Sequence, residues 1–164
     1  MTEATPATKL YELWLQQSLF NERLFVRVGQ LAADGDFLVS VGGAYFLDGT
    51  GGWPTLLAAD LPSGGPAYPL ATPGVRVFLF SSNENLGLKA AVYNGDPVGP
   101  NCKGDPQVCD PAGLEFRLSD PPLLFMEGFY KYNQKQGLAG TIPERPQIAI
   151  WWISMPKAAS LSPA

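Results

Sequence analysis

The alternation of apolar and polar positions is strongest in the stretch GVRVFLFSSNENLGLKAAVYN, which covers residues 74–94. Aliphatic side chains occupy every second position on both sides of a polar tetrad at residues 82–85. A period of two on either side of a short polar turn is typical of a β-hairpin. We therefore predict two antiparallel strands with one aliphatic face, and with a cation on each strand on the opposite face.

The same period recurs elsewhere in the chain. It predicts strands over residues 9–19, 24–30, 113–119 and 123–134, and the apolar run at 148–153 suggests one more. A helix is the competing interpretation of the first segment, because Leu, Glu and Gln are good helix formers. We favour a strand there because the next segment mirrors its alternation. The predicted fold class is all-β, with an antiparallel up-and-down sheet.

Short and long connections alternate between these predicted strands. Transmembrane β-barrels combine short periplasmic turns with long outer loops, and their strands run to about 9–11 residues. The rhythm favours part of a porin-type transmembrane β-barrel, whereas a soluble sandwich needs no such asymmetry. The predicted short breaks are 20–23, 82–85 and 120–122, and the long ones are 31–73, 95–112 and 135–146.

Composition excludes several function classes. Charged residues make up 16% of the 164 residues, below the roughly 25% typical of soluble domains. A net charge of −4 argues against a nucleic-acid partner. The absence of histidine removes Ser-His-Asp triads and most zinc sites. We predict no enzymatic activity and no cofactor.

The chain contains two cysteines, Cys102 and Cys109, which lie in one predicted loop. They would close a small disulfide ring in an oxidising compartment, or remain two free thiols elsewhere. The sequence leaves both possibilities open. No run of about 20 apolar residues encodes a transmembrane helix, and the start MTEATPATK lacks the apolar region of a secretory signal.

The two predicted faces differ in what they can contact. In a sheet that spans lipid, a cation at mid-depth on the lipid face costs about 2–4 kcal/mol, whereas burying a Val or Leu side chain gains about 1.5–3 kcal/mol. Both effects place the aliphatic face against lipid and the cationic face towards a water-filled lumen. The pore-lining residues predicted on this basis are Arg27, Arg76, Lys89, Arg117, Glu12, Glu115, Glu127 and Lys131.

A soluble antiparallel sheet with polar residues facing water predicts the same alternation. The alternative function is therefore a soluble carbohydrate-binding β-sandwich. Large aromatic side chains at the polar positions argue against a water-facing surface, whereas they suit contact with the C–H faces of sugars. Tyr130 and Tyr132 lie on the aliphatic side near a strand end, where a membrane barrel carries its aromatic girdle.

Several strings resemble the carbohydrate-selective outer-membrane porins of the OprB family. They are YELWLQQSLFNERLFVRVGQLAAD, GTGGWPTLLAADLPSGGPAYPLATPGVRV, AAVYNGDPVGP, GDPQ and LEFRLSDPPLLFMEGFYKYNQ. The similarity covers roughly residues 11–141, and its block from Trp53 to Arg76 is long and specific. We accordingly divide the chain into a non-family start at 1–8, a partial porin domain at 9–141 and a divergent tail at 142–164.

The resemblance implies a β-barrel in the outer membrane of a Gram-negative bacterium that passes small sugars by passive diffusion. Outer-membrane lipid would surround it, and the full-length parent is a candidate homo-oligomer. Inward-folded loops narrow the pore in this family, and residues 31–73 look like such a loop region. Its constriction candidates are Asp48, Trp53 and Asp60. Because the visible strands number below the eight of the smallest barrels, we expect the chain to be a fragment or truncated member.

Overall fold

The computed structural model describes residues 8–39, 53–83, 85–131 and 147–154. Six strands, two short α-helices and a 3₁₀ helix at Pro62–Gly64 account for the regular structure of these residues. Among them, no helix combines the length and the apolar character needed to cross a bilayer. The strands are β1 (Leu13–Leu19), β2 (Leu24–Leu31), β3 (Thr72–Phe80), β4 (Leu86–Asn94), β5 (Pro122–Lys131) and β6 (Gln147–Ser154), and the helices are α1 (Thr55–Asp60) and α2 (Pro106–Cys109).

All six strands form one antiparallel sheet in which each strand pairs with the next along the chain. The predicted all-β, up-and-down architecture is confirmed. The first segment is a strand rather than a helix from Leu13 onward, and the apolar run near the end pairs with β5 as β6. The sheet is open in the described residues, with β1 and β6 at its edges.

The β3–β4 hairpin forms where the alternation is strongest. Val75 lies opposite Val92, and Leu79 lies opposite Leu88, so aliphatic side chains meet across the two strands. Between the strands, the Asn83 side-chain oxygen accepts hydrogen bonds from the Ser81 hydroxyl at 2.8 Å and from the backbone N–H of residue 85 at 3.3 Å. Local bonding of this kind is the reason that Asn and Ser favour turns.

The strand predicted at residues 113–119 is wrong. These residues alternate like a strand, but they have no strand conformation and no partner in the sheet. The reason is topological, because β4 pairs directly with β5 and leaves no free edge between them. Instead, Phe116 and Leu118 line an apolar groove of about 910 Å³ together with aliphatic residues of β1 to β4.

The predicted alternation of short and long connections is observed only from β1 to β4. The short turns at 20–23 and 81–85 lie at one end of the sheet, and the long connection between β2 and β3 lies at the other. The break at 120–122 is not a hairpin turn, since residues 95–121 form one long connection from β4 to β5. β5 then ends, and β6 begins, at the same end of the sheet as the short turns.

The two faces of the sheet are covered very differently. One face, which we call the bare face, carries exposed aliphatic side chains; Leu15 is 78% exposed and Val28 is 50% exposed. The opposite face, the loop-covered face, carries the arginines and aromatic rings and is packed against the connection between β2 and β3. The remaining large exposed side chains of the bare face include Leu13, Val75, Leu79, Leu86, Leu88, Val92, Met126 and Tyr130.

Two glycines make room for aromatic rings on the loop-covered face. Gly74 lies opposite Tyr93, and Gly87 lies opposite Phe129. In both pairs the ring occupies the space that a Cβ atom of the glycine would need. Large rings therefore lie across neighbouring strands and form a continuous aromatic layer, which a side chain at either glycine would disrupt.

The connection between β4 and β5 contains the two cysteines. Cys102 and Cys109 are joined by a disulfide bond in the structure, which answers the question that the sequence left open. The Asp105 side chain caps the N-terminus of α2 by accepting from the Gln107 N–H at 2.9 Å. The ring is thus a compact loop element at the long-loop end of the sheet.

Candidate functional site

Two arginines lie side by side on the loop-covered face. Arg27 of β2 and Arg76 of β3 are direct cross-strand neighbours. Like charges placed opposite each other destabilise a sheet, so these two guanidinium groups require compensation. Gln16 of β1 supplies part of it, because its Oε1 accepts from Arg27 Nε at 3.0 Å and from Arg76 Nη2 at 3.1 Å.

The connection after β2 supplies the counter-charge. The Asp36 carboxylate forms an ion pair with Arg76, which is only 3% exposed. A buried charge of this kind is stable only when it is paired and hydrogen-bonded. Asp36 therefore fixes the connection to the sheet at the position where the sheet carries its buried guanidinium group.

A second cation pairs within the sheet itself. Lys89 of β4 lies opposite Glu127 of β5, and its Nζ is 3.1 Å from the Glu127 Oε1. The same Nζ donates to the backbone carbonyl of Asp36 at 3.0 Å. Residue 36 thus contacts two of the predicted lining cations, one through its carboxylate and the other through its backbone.

Phe37 anchors the same connection by packing. Its ring centroid lies 5.3 Å from that of Phe125, 6.1 Å from Phe78 and 6.5 Å from Tyr93. Phe37 is 1% exposed, and aromatic contacts at these distances add to the benefit of burying the ring. The loop that begins after β2 is consequently held against the sheet by an ion pair and by a buried ring at consecutive positions.

A small polar cavity lies between this loop and the first two strands. Its volume is about 230 Å³, which corresponds to the liquid volume of about eight waters. Glu12 borders it and accepts from the Ala32 N–H at 2.8 Å. The lining residues are Tyr11, Glu12, Arg27, Ala32, Asp34, Gly35 and Asp36.

The Tyr11 phenol is fixed as a hydrogen-bond donor in this cavity. It donates to the Asp34 carboxylate at 3.2 Å. Burial raises the pKa of Tyr11, and the negative charges of Asp34 and Glu12 raise it further. The cavity therefore combines a guanidinium group, carboxylates and a phenol, which are groups that form hydrogen bonds with hydroxyls.

Arg27 is the more accessible of the paired arginines. Its guanidinium carbon lies 3.9 Å from the ring centroid of Trp14, in a cation–π contact. Trp14 itself is 40% exposed. This pair presents an aromatic surface and charged donors next to the polar cavity, which is the combination that binds the apolar and polar sides of a sugar.

Two predicted lining residues lie elsewhere. Arg117 and Glu115 belong to the connection between β4 and β5. Their assignment to the pore wall from the alternation of a strand is therefore wrong. Arg117 instead donates to Asp120 through Nε and Nη2, each at 3.0 Å. This hydrogen bond raises the pKa of Arg117 and lowers that of Asp120. Glu115 is exposed.

The other predicted residues lie in different parts of the structure. Arg27, Arg76, Lys89 and Glu127 lie together on the loop-covered face, and Glu12 lies just before β1 at the same site. Trp53 packs 5.9 Å from Phe125, whereas Asp60 is exposed at the end of α1. Lys131 is the last residue of β5. Asp48 and Tyr132 lie outside the described residues.

Sequence reasoning missed the loop residues that complete the site. Asp36 and Phe37 lie in a segment without periodicity, so no local pattern marks them as partners of distant strands. Gln16 occupies a polar-face position of the alternating pattern in β1, so the alternation alone could have identified it. Among the described residues, no group of three or more His, Cys, Asp or Glu side chains is placed to hold a metal ion.

Comparison with known families gives one match. The model of the carbohydrate-selective porin, OprB family, matches residues 2–143. Searches of curated proteins and of solved structures each found no match.

Proposed function

Because the chain belongs to the OprB family of carbohydrate-selective porins, which are outer-membrane channels of Gram-negative bacteria rather than enzymes, we propose that its sheet is part of the wall of such a barrel. Small carbohydrates diffuse passively along the loop-covered face, without a covalent step or energy coupling. The bare face contacts the outer-membrane lipid. The full barrel is a candidate homo-oligomer.

The observation that carries this proposal is that the charged face of the sheet is covered, whereas the aliphatic face is exposed. In a soluble sheet, the aliphatic face is buried and the charged face meets water. Here the aliphatic side chains are exposed, while Arg76 and Glu127 are 3% and 5% exposed. An apolar surface of this extent marks a contact with membrane or protein, and a lipid bilayer is the surrounding that the family implies.

The residues of the loop-covered face suit neutral, hydroxyl-rich solutes. Each cation described on β2, β3 and β4 has a hydrogen-bonding partner, and the partners of Arg76 and Lys89 include carboxylates. The Trp14–Arg27 pair and the adjacent polar cavity are the most open part of this wall. We assign the lining to Glu12, Arg27, Arg76, Lys89 and Glu127, with Trp53 of the constricting loop packed against Phe125 of β5.

The soluble β-sandwich has no support from the described residues. A sandwich needs two sheets packed face to face, whereas these residues form a single sheet of six strands. The aliphatic face, which a sandwich would bury against its second sheet, is exposed in the described residues instead.

Solute flux tests the proposed transport directly. A full-length barrel that contains this sheet is reconstituted into liposomes, and swelling is followed in isotonic solutions of neutral sugars of increasing size. We expect swelling with monosaccharides that falls steeply as the solute grows, because the connection after β2 covers much of the wall. Liposomes without protein provide the background. Swelling no faster than this background with every sugar would refute the proposal.

Site-specific spin labels test which face meets lipid. Single cysteines are introduced at Val28 on the bare face and at Gln16 on the loop-covered face; the native cysteines are already bonded to each other. In bilayers, the label at position 28 should collide mainly with oxygen, which partitions into lipid. The label at position 16 should collide mainly with a water-soluble nickel chelate. The reverse pattern would show that the faces are assigned incorrectly.

A further inference from the structure

The Asp36 carboxylate occupies the place that a bound anion would take. Two guanidinium groups side by side are a favourable site for a carboxylate or phosphate, since planar N–H donors match these oxygens closely. Arg27 and Arg76 form such a pair on adjacent strands. Gln16 accepts a hydrogen bond from each of them, which links the two groups.

The arginine pair retains unused donor capacity. Arg76 donates to Asp36 and Gln16, but its buried Nε has no hydrogen-bond partner. Its guanidinium carbon also lies 4.1 Å from the ring centroid of Phe78. Burial in an apolar, aromatic setting strengthens the attraction for an anion. Without a carboxylate supplied by the chain, this site would attract one from solution.

We propose that Asp36 is a specificity-determining residue, whose carboxylate fills the anion site of Arg27 and Arg76 and thereby excludes anionic solutes in favour of neutral sugars. This inference rests on the proposed channel function and extends it. It assigns to a loop residue the role of setting the charge selectivity of the wall. Removing the charge of Asp36 converts the arginine pair into a site for phosphate- or carboxylate-bearing sugars.

The competing explanation is purely structural, in which Asp36 only fixes the loop. Phe37 separates the two explanations because it anchors the same loop without any charge. If fixing the loop were the whole role, Phe37→Leu and Asp36→Asn would widen the pore in the same way, and neither would alter charge selectivity. A specificity role predicts that only Asp36→Asn alters it.

The first measurement is the reversal potential of the reconstituted channel in a potassium chloride gradient. Asp36→Asn keeps the size of the side chain and an acceptor oxygen, so the loop retains a bond to Arg76. We expect a shift towards anion selectivity, and a smaller shift at high salt because screening shortens the reach of charge. Glu22→Gln removes the same charge from the exposed turn after β1 and should leave the potential unchanged.

The second measurement does not require conduction. Binding of inorganic phosphate to the detergent-folded chain is followed by calorimetry at low ionic strength. We expect Asp36→Asn to bind phosphate at least about tenfold more tightly than wild type, the effect of one charged hydrogen bond. Asp34→Asn, two residues away, should bind no more tightly than wild type because Asp34 bonds Tyr11 and the Tyr68 N–H instead.

The outcomes distinguish a failure of the proposed role of Asp36 from a failure of the proposed channel function. Unchanged phosphate binding in Asp36→Asn, or equal gains in Asp36→Asn and Asp34→Asn, would overturn the role of Asp36 even if sugars pass. A wild-type full-length barrel that passes no sugar would count against the channel function, while calorimetry would still decide whether Asp36 blocks an anion site.

Discussion

The loop-covered face and the bare face lie on the same six strands, but they are stabilised by different means. The loop-covered face is held by specific contacts: ion pairs, hydrogen bonds and rings that lie across glycines. The bare face carries mostly aliphatic side chains, and many of the large ones are exposed within the described chain. One face is therefore sensitive to the identity of each residue, whereas the other requires only that its residues be apolar.

The largest effect should follow from removing the ring that anchors the loop. Phe37→Ala deletes a fully buried side chain, and we expect it to lower the free energy of unfolding by about 3–5 kcal/mol. Denaturant unfolding in lipid vesicles measures this change. Leu79→Ala on the bare face is the matched control and should cost clearly less, because Leu79 is 48% exposed. Equal losses would mean that the two faces are packed alike.

A charge on the bare face should have the next largest effect. Val75→Arg places a guanidinium group against lipid, and we expect a loss of about 2–4 kcal/mol in the free energy of folding into a bilayer. Ser18→Arg places the same side chain on the opposite face of the sheet, at an exposed position of β1. It should fold nearly as well as wild type. Normal assembly of Val75→Arg would show that lipid does not contact this face.

The smallest effect concerns the ion pair of Arg117 and Asp120 in the connection between β4 and β5. Arg117 lowers the pKa of Asp120, so the stability that this pair contributes is present above the ordinary Asp pKa of about 3.9 and is lost as pH falls through the lowered pKa of Asp120. Both side chains are partly exposed, so we expect less than about 1 kcal/mol. Hydrogen exchange of the Gly95 N–H, which donates to Pro121 nearby, reports this loss.

Arg117→Gln is the control for this titration. Without the guanidinium group, the Asp120 pKa should return towards its ordinary value, and the acid-induced loss of protection should begin at a higher pH. Identical exchange profiles in the two proteins would show that the ion pair does not stabilise the loop.

Much of the sheet was predictable because strand periodicity is a local property. The β3–β4 hairpin, β2 and most of β5 follow from alternation, and so does the grouping of Arg27, Arg76 and Lys89 on one face. Residues 113–119 show the limit of that reasoning. Their alternation is as regular as that of a strand, but a strand also needs a free neighbouring edge, and the pairing of β4 with β5 removes it.

The sequence by itself determined which residues share a face, because successive side chains of a strand point to opposite sides. It also determined the family, through the long specific block between Trp53 and Arg76. Only the tertiary structure decided which face the loop covers and which loop carboxylate neutralises the buried arginine. Contacts such as Asp36 with Arg76 join residues 40 positions apart, and no local pattern encodes them, since they depend on how the sheet and its connections pack together.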